Sequence, residues 1–340
     1  MKRISVVSDR ISNETELIAA YLAPLAAAYP GAFGLKDDAA LISLDPGFDL
    51  VVSTDPVIAG VHFFGDDDPR DIAWKALAVN ASDLAAKGAQ PVAYTMALAL
   101  PDAPLKGWMA AFSAGLAEAQ AAFGFHLIGG DTDRTPGPLS ISVTAFGRVP
   151  KGRFVRRQGA RVGDHVFVSG TLGDASLGLR LRRAGDAFGA GFSHAHAQHL
   201  LGRYLRPQPR QVLATVLHTY ASAALDVSDG LLKDAARLAA GGNAGLRIAV
   251  ADLPLSAAAR AVIERQRDAL ASVVSGGDDY EILFAVPANS AAEVVGVCAG
   301  IGLRITWLGE LAAGSGVSLI GADGGPHHVS GAGYDHFEGN

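Results

Sequence analysis

The chain has 340 residues, 49% of them hydrophobic, with a formal net charge of −6 and one cysteine, Cys298. A length near two typical domains and this apolar fraction suit two sizeable cores. The negative balance argues against a nucleic-acid partner, and a single thiol excludes an internal disulfide and a cysteine-built metal centre.

Glycine occurs 41 times, about twice the usual ~7%, which points to tight turns and close backbone approaches. The opening "MKRISVVSDR" is charged but lacks the apolar run of a secretory signal. The longest apolar stretch, "PVAYTMALALP", is well short of a membrane span. The expectation is a cytoplasmic protein with no membrane contact.

In chain order, the apolar period predicts a helix over 13–29, capped by Asn13. "DAALISL" and "FDLVVSTDPVI" read as strands around the turn "DPGF". "DPRDIAWKALAVNASDLAAKG" reads as a helix with Asp68 as its cap, Pro69 in its first turn and Gly88 at its end. A strand "VAYTMALAL", a helix over 105–123 and a strand "SISVTAFGRV" follow. "PKGRFVRRQGARVGD" reads as the hinge between domains 1–150 and 151–340. Beyond it come a strand "HVFVSG", a helix "DASLGLRLRRAG", helices near 193–204 and 209–220, and "ALDVSDGLLKDAARLAAGG" as a strand running into a helix. The pattern closes with strand 246–250, helix 256–268, strand 280–286, helix 290–300 and strand 303–309. Strands and helices mix without a strict βαβ rhythm. That predicts an α/β chain of mixed α+β character rather than one doubly wound sheet.

Carboxylates recur at the edges of apolar elements: Asp37–Asp38, Asp55, Asp83, Asp131 with Asp133, Asp226 with Asp229, and Asp278–Asp279. Taken singly most have ordinary explanations, Asp229 as a helix cap and Asp131 as a turn residue. Asp83 is different: it falls among Ala81, Leu84 and Ala85, where a lone carboxylate is costly. As a set beside Ser, Thr and Gly, they suit a hard divalent cation such as Mg²⁺, bound through oxygen and sharing its shell with phosphate. Yet no GxxxxGK[ST] loop, no GxGxxG turn and no HRD/DFG pair is present. A nucleotide would need another scaffold. The histidines of "SHAHAQH" do not read as a zinc site, since only His196 and His199 share a helical face and no carboxylate follows closely; "GGPHHVSGAG" reads as a loop and Cys298 as a buried, inert thiol.

The segments "KDDAAL", "STDPVIAGVHF", "KALAVNASDLAAKGAQP", "LIGGDTDRTPGPLSISVTAFGRVP", "GDHVFVSGTLGDASLGL", "YLRPQPR", "LDVSDGLLKD", "SGGDDYEILFAVP" and "GYDHF", in this order, resemble the thiamine-monophosphate kinase family. That family lies in the superfamily of aminoimidazole ribonucleotide synthetase and selenophosphate synthetase. The resemblance implies a two-domain synthetase-like fold, with an N-terminal sheet domain that pairs in a homodimer and a C-terminal α/β domain. It also implies direct transfer of the γ-phosphoryl group of ATP to thiamine monophosphate with several Mg²⁺ ions. Carried over by motif, Asp38, Ser53, Thr54, Asp55, Asp83, Asp131, Asp226 and Asp229 would hold Mg²⁺, with Asp38, Asp83 and Asp229 also read as catalytic. Gly130, Arg157 and Ser228 would contact ATP, and His62, Asp278 and Tyr334 would meet thiamine monophosphate.

Three positions depart from the family pattern. Lys36 stands where Gly is usual and is read as solvent-facing. Asp278 stands for a Glu one methylene longer, and Asp133 for a Thr or Ser. The competing readings are another ATP-using synthetase of the superfamily and a catalytically silent nucleotide or metal binder. A selenophosphate synthetase would want a reactive Cys near its start and a carbamoyl-dehydrating relative one at its end, and the near-complete carboxylate set argues against a silent binder.

Overall fold

The computed structural model describes residues 9–329 and 333–334. The first eight residues of "MKRISVVSDR" and the "DHF" of "GYDHF" lie outside them. The chain divides into two compact units, 1–81 with 91–148, and 82–90 with 149–340.

In the first unit the amino-terminal helix is predicted as one piece. It is instead α1 (Glu14–Leu17), a π-helical segment (Ile18–Leu22) and α2 (Ala23–Ala26). Asn13 caps it as expected, its side-chain oxygen accepting from Glu16 N–H at 2.8 Å. The strand predicted at "DAALISL" does not form. Leu41 is exposed and its N–H bonds to the Gly31 carbonyl, so this stretch docks on a helical turn and not on a strand. Four strands make the sheet: β1 (Phe48–Ile58), β2 (Gln90–Leu100), β3 (Leu127–Arg134) and β4 (Ser140–Pro150), in the order β1-β4-β2-β3. β3 runs on through "GGDTD", so Asp131 and Asp133 sit within the strand rather than after it.

α3 (Pro69–Ala86) and α4 (Lys106–Phe123) connect the strands. Asp68 caps α3 by accepting from Arg70 N–H at 2.8 Å. α3 is buried on nearly all sides, as expected of a helix apolar all round. Its last turn, Ser82 to Ala86, is counted with the second unit.

The second unit carries β5 (His165–Ser169), α5 (Asp174–Ala184), α6 (Asp186–Gly189), α7 (His194–Leu205), α8 (Ala214–Tyr220), β6 (Ala223–Val227), α9 (Leu231–Gly241) and β7 (Ala244–Ala249). α10 (Ala257–Arg265), α11 (Ala269–Ser275), β8 (Glu281–Val286), α12 (Ala291–Gly300), β9 (Ile305–Ala313), β10 (Gly316–Ile320) and β11 (Pro326–His327) complete it. Helix α11 and strands β10 and β11 escape the sequence reading because they are short. The sheet is mixed, in the order β11-β10-β7-β9-β5-β8-β6 among the described residues. β7 and β10 pair in parallel, and β8 runs antiparallel to β5 and β6.

Both faces of this sheet are covered. Val166, Val168, Leu225, Val227 and Leu283 pack with residues of α5, α7 and α9. The alternate side chains Phe167, Ala224, Ile282 and Phe284 pack with α8, α12 and Ala85 and Ala86 of α3. That explains why β8 reads as an apolar run from Ile282 to Val286 after Glu281. It also fixes the end of α3 against β6, which positions the site.

Candidate functional site

In the first unit, β1 presents Ser53, Thr54 and Asp55. Thr54 Oγ1 donates to the Val143 carbonyl at 3.0 Å and lies 3.2 Å from Thr144 Oγ1. Asp55 is held by its backbone. Its N–H donates to Asn80 Oδ1 at 3.1 Å, and Asn80 Nδ2 donates to the carbonyls of Asp55 (3.4 Å) and Ala76 (3.0 Å). Asn80 is fully buried in α3. Sequence reasoning passed over it, although its place in "NASD" three residues before Asp83 was the available signal. Replacing Asn80 with Ala is expected to cost about 2 kcal/mol, because buried partners of Asp55 lose their hydrogen bonds. Chemical denaturation measures this, and a loss under about 0.5 kcal/mol would contradict the clamp.

Asp37, Asp38, Gly130 and Asp131 line one cavity of about 200 Å³ together with Thr95 and Thr132. The paired aspartates are exposed, and Asp38 N–H donates to Asp37 Oδ1 at 2.8 Å. Gly130 has φ 154°, and a Cβ there would stand 1.9 Å from the Met96 carbonyl oxygen. Asp133, by contrast, lines a separate groove with Asn13, Asp102 and Arg134. Lys36 is exposed, in keeping with the solvent reading.

His62 accepts from Ile58 N–H at Nδ1 (3.0 Å), and Lys75 Nζ donates to its carbonyl at 3.0 Å. That bond makes Nε2 the protonated nitrogen of a neutral imidazole.

In the second unit a tighter cluster forms. Ser82 Oγ donates to Asp226 Oδ2 at 2.7 Å, joining residues 144 positions apart. Desolvation pushes the Asp226 carboxyl from 3.8 up to about 8, and the neighbouring charge of Asp83 pushes the same way, opposed by the Ser82 hydroxyl and by Lys87. Lys87 is pulled below its ordinary value by burial, against the attraction of Asp226. Its Nζ donates to the Ala224 carbonyl at 2.8 Å. Neither Ser82 nor Lys87 was singled out from sequence. The i, i+4 spacing of Asp83 and Lys87 on one helix was the usable clue.

Arg157 belongs to this cluster, its charge acting on Lys87. The reason is local: Val155 N–H donates to the Lys87 carbonyl (3.2 Å) and Ala224 N–H to the Arg156 carbonyl (3.1 Å). The predicted hinge therefore runs beside the end of α3 and the edge of β6.

Asp229 follows β6. Its carboxylate pairs with Arg237 Nη1 at 2.7 Å and Lys233 Nζ at 3.5 Å, and its N–H donates to Asp234 Oδ2 at 3.0 Å. Burial raises the Asp234 carboxyl to about 6. Tyr334 N–H donates to the Asp229 carbonyl at 3.0 Å, and Lys233 Nζ donates to the Tyr334 carbonyl. Asp278 N–H donates to the Ser228 carbonyl at 3.0 Å. Ser228, Asp229, Asp278 and Tyr334 thus meet around the end of β6, although they span more than a hundred positions.

Among the described residues no group of three or more His, Cys, Asp or Glu side chains forms a ready-made metal cage. The donor set nonetheless fits a hard cation. Asp83 and Asp226 are two carboxylates forced together, and a raised pKa in one of them marks a place where a proton stands in for missing positive charge. His199 of "SHAHAQH" is engaged elsewhere, with Nε2 3.1 Å from Asp174 Oδ2. Cys298 is fully buried, its thiol pushed up by desolvation.

Comparison with known proteins follows the same division. The family model "AIR synthase related protein, N-terminal domain" matches residues 36–149, and its C-terminal counterpart matches 161–322. A thiamine-monophosphate kinase of Caulobacter vibrioides is 41% identical over 90% of this chain and 86% of its own. That of Escherichia coli (strain K12) is 40% identical over 89% and 91%. The crystal structure of the thiamine-monophosphate kinase of Stenotrophomonas maltophilia K279a matches at TM-score 0.78 and 41% identity, over 86% of this chain and 91% of that one. AaThiL complexed with AMPPCP and TMP matches at TM-score 0.75 and 32% identity, over 90% and 97%. E. coli HypE, a hydrogenase maturation protein, shares the fold at TM-score 0.76 and 23% identity, over 94% and 98%.

Proposed function

The chain belongs to the AIR synthase related family and, within it, to the thiamine-monophosphate kinases, and from that premise we propose that it converts thiamine monophosphate to thiamine diphosphate with ATP as the phosphoryl donor. The observation that carries the reading is the end of α3 against β6, the edge strand of the second unit's sheet, where Ser82 binds the Asp226 carboxylate and Lys87 the Ala224 carbonyl, with Asp83 between them in sequence.

The acceptor is itself a phosphate with a second pKa near ~6, so at neutral pH it is mostly a dianion and needs no strong base. The obstacle is charge. Two unit charges at ~4 Å repel by about 4 kcal/mol at an effective dielectric of 20, and several such pairs act here. Mg²⁺, when bound, supplies counter-charge to both phosphates. In the first unit Asp38, Ser53, Thr54, Asp55 and Asp131 would hold it through oxygen, and in the second Asp83, Asp226 and Asp229 would. Arg157 and Ser228 serve the nucleotide, Arg157 by forking onto phosphate oxygens, and Gly130 meets it from the wall of the cavity it lines with Asp38 and Asp131. His62, Asp278 and Tyr334 serve thiamine monophosphate. Asp278 is one methylene shorter than the family's Glu, and its φ of 71° sets it apart from an ordinary strand residue.

The first unit's sheet is the homodimer face in this reading. Exposed Leu50 and Val52 on β1 support it, as an apolar sheet face wants cover. No helix among the described residues is long and apolar enough to cross a membrane, and cytoplasmic residence is part of the proposal.

The test is direct: purified protein, ATP, Mg²⁺ and thiamine monophosphate should yield thiamine diphosphate and ADP. ATP consumption without the diphosphate would favour another synthetase reaction. The metal assignment has its own readout. Millimolar MgCl₂ should raise the melting temperature of the wild-type protein by more than that of Asp226→Asn, since the variant loses one of the carboxylates that attract the ion while the other donors remain. Equal gains in both proteins would remove Asp226 from the metal site.

A further inference from the structure

The segment 276–280 enters β8 in an unusual conformation. Asp278 and Tyr280 have φ of 71° and 51°, the left-handed region that side-chain-bearing residues seldom occupy unless their surroundings hold them there. At Gly277 a Cβ would stand 2.2 Å from the Ser228 carbonyl oxygen, so only glycine permits the approach. The segment docks on the end of β6 through Asp278 N–H to the Ser228 carbonyl and Tyr280 N–H to the Val227 carbonyl, at 3.0 and 2.9 Å.

Behind it stands a buried ionic cluster. The Asp279 carboxylate accepts from Gly173 N–H (2.7 Å) and Ala175 N–H (3.3 Å) at the start of α5. Arg203 of α7 donates from Nη2 to the Asp279 carbonyl at 3.1 Å and to Glu281 Oε1 at 3.0 Å. Arg210 forks onto both oxygens of Glu281, with Nε 2.6 Å from Oε2. Ser169 Oγ donates to Glu281 Oε2 at 2.6 Å and accepts from Ile282 N–H at 2.9 Å. Glu281 is fully buried and Arg203 is 6% exposed.

This cluster is a poor device for stability. It withdraws the carboxylates of Asp279 and Glu281 and the Arg203 cation from water, and Arg210 in large part, and Nε and Nη1 of Arg203 have no partner among the described residues. Apolar side chains of similar volume generally stabilise a core as well or better. What the cluster does supply is fixed geometry on both sides of the strained residues.

We infer that Glu281, with Arg203 and Arg210, is a positioning residue for the phosphoryl acceptor. It clamps segment 276–280 from behind and thereby fixes Asp278 against Ser228 and Asp229. The inference rests on reading Asp278 as an acceptor contact. It joins two segments, "YLRPQPR" and "SGGDDYE", whose linkage nothing in the sequence spacing reveals.

Steady-state kinetics of the wild-type protein comes first, and absence of thiamine diphosphate there would refute the kinase reading itself. Three variants then address the clamp: Glu281→Gln, Arg210→Lys, and the apolar replacement Arg203→Met/Arg210→Leu/Glu281→Leu. KM for thiamine monophosphate should rise about tenfold or more in each, and by more than KM for ATP, because the segment carries the acceptor contact and meets the nucleotide's side only at the Ser228 backbone carbonyl. The apolar variant should melt at or above the temperature of Glu281→Gln while keeping the raised acceptor KM, a separation that a purely structural role would not produce. Should the apolar variant fail to fold, Glu281→Gln and Arg210→Lys carry the test alone. Wild-type acceptor KM in both of those, or parallel increases for the two substrates, would overturn the inference.

Discussion

Asp83→Asn should lower turnover by at least about a thousandfold, the scale expected when a group stabilising transition-state charge is removed. The substitution is nearly isosteric; it removes the charge and turns one acceptor oxygen into an NH₂ donor. Asp83 sits at the end of a buried helix, where its charge helps push the Asp226 carboxyl up to about 8, and Ser82, one residue before it, is already committed to Asp226. Without counter-charge this pair is a liability to the fold. The melting temperature of the metal-free variant should therefore hold or rise, since the charge that disfavours ionised Asp226 has gone. The Asp226 carboxyl should also fall back toward its ordinary range as the charge beside it disappears. Turnover at saturating ATP, thiamine monophosphate and Mg²⁺, measured beside thermal unfolding, checks both halves. Activity within about tenfold of wild type would take Asp83 out of the catalytic machinery.

Gly130→Ala should destabilise the protein by about 3 kcal/mol or more, or prevent folding, because the new methyl group meets backbone on both counts. The residue has φ 154°, and the added Cβ would fall 1.9 Å from the Met96 carbonyl oxygen. Met96 is the register partner of Gly130 across the parallel β2–β3 pair, so neither atom is a flexible side-chain end that can move aside. Any relaxation would part the strands where Asp131 emerges and reshape the cavity it shares with Asp38. Urea denaturation of the variant decides the point. A stability change below about 0.5 kcal/mol would show that the strands separate more easily than close packing implies.

Much of the architecture was legible because it follows local rules. The cap and first turn of α3 rest on Asp68 and Pro69, and both act as their chemistry dictates. β8 reads as a strand from its apolar run alone. The missing strand at "DAALISL" shows the limit. Its residues suit a strand, but strand formation needs a partner edge, and here the Leu41 N–H goes to Gly31 instead. The bent amino-terminal helix is a similar case, its apolar period running unbroken through a π-helical segment.

The sequence by itself determined which side chains could matter. Carboxylates beside apolar runs are costly, so their recurrence marks chemistry wherever they come to lie, and the order of motifs carries the family. Only the tertiary structure decided who meets whom. It placed Ser82 on Asp226, Lys87 near that carboxylate with the charge of Arg157 acting on it, and Asn80 across the backbone of Asp55. It also joined Arg203 and Arg210 to Glu281. The physical reason is that propensity and periodicity act over a few residues. Desolvation and Coulomb attraction depend instead on distance in space, which is set by how α3 packs on the sheet of the second unit.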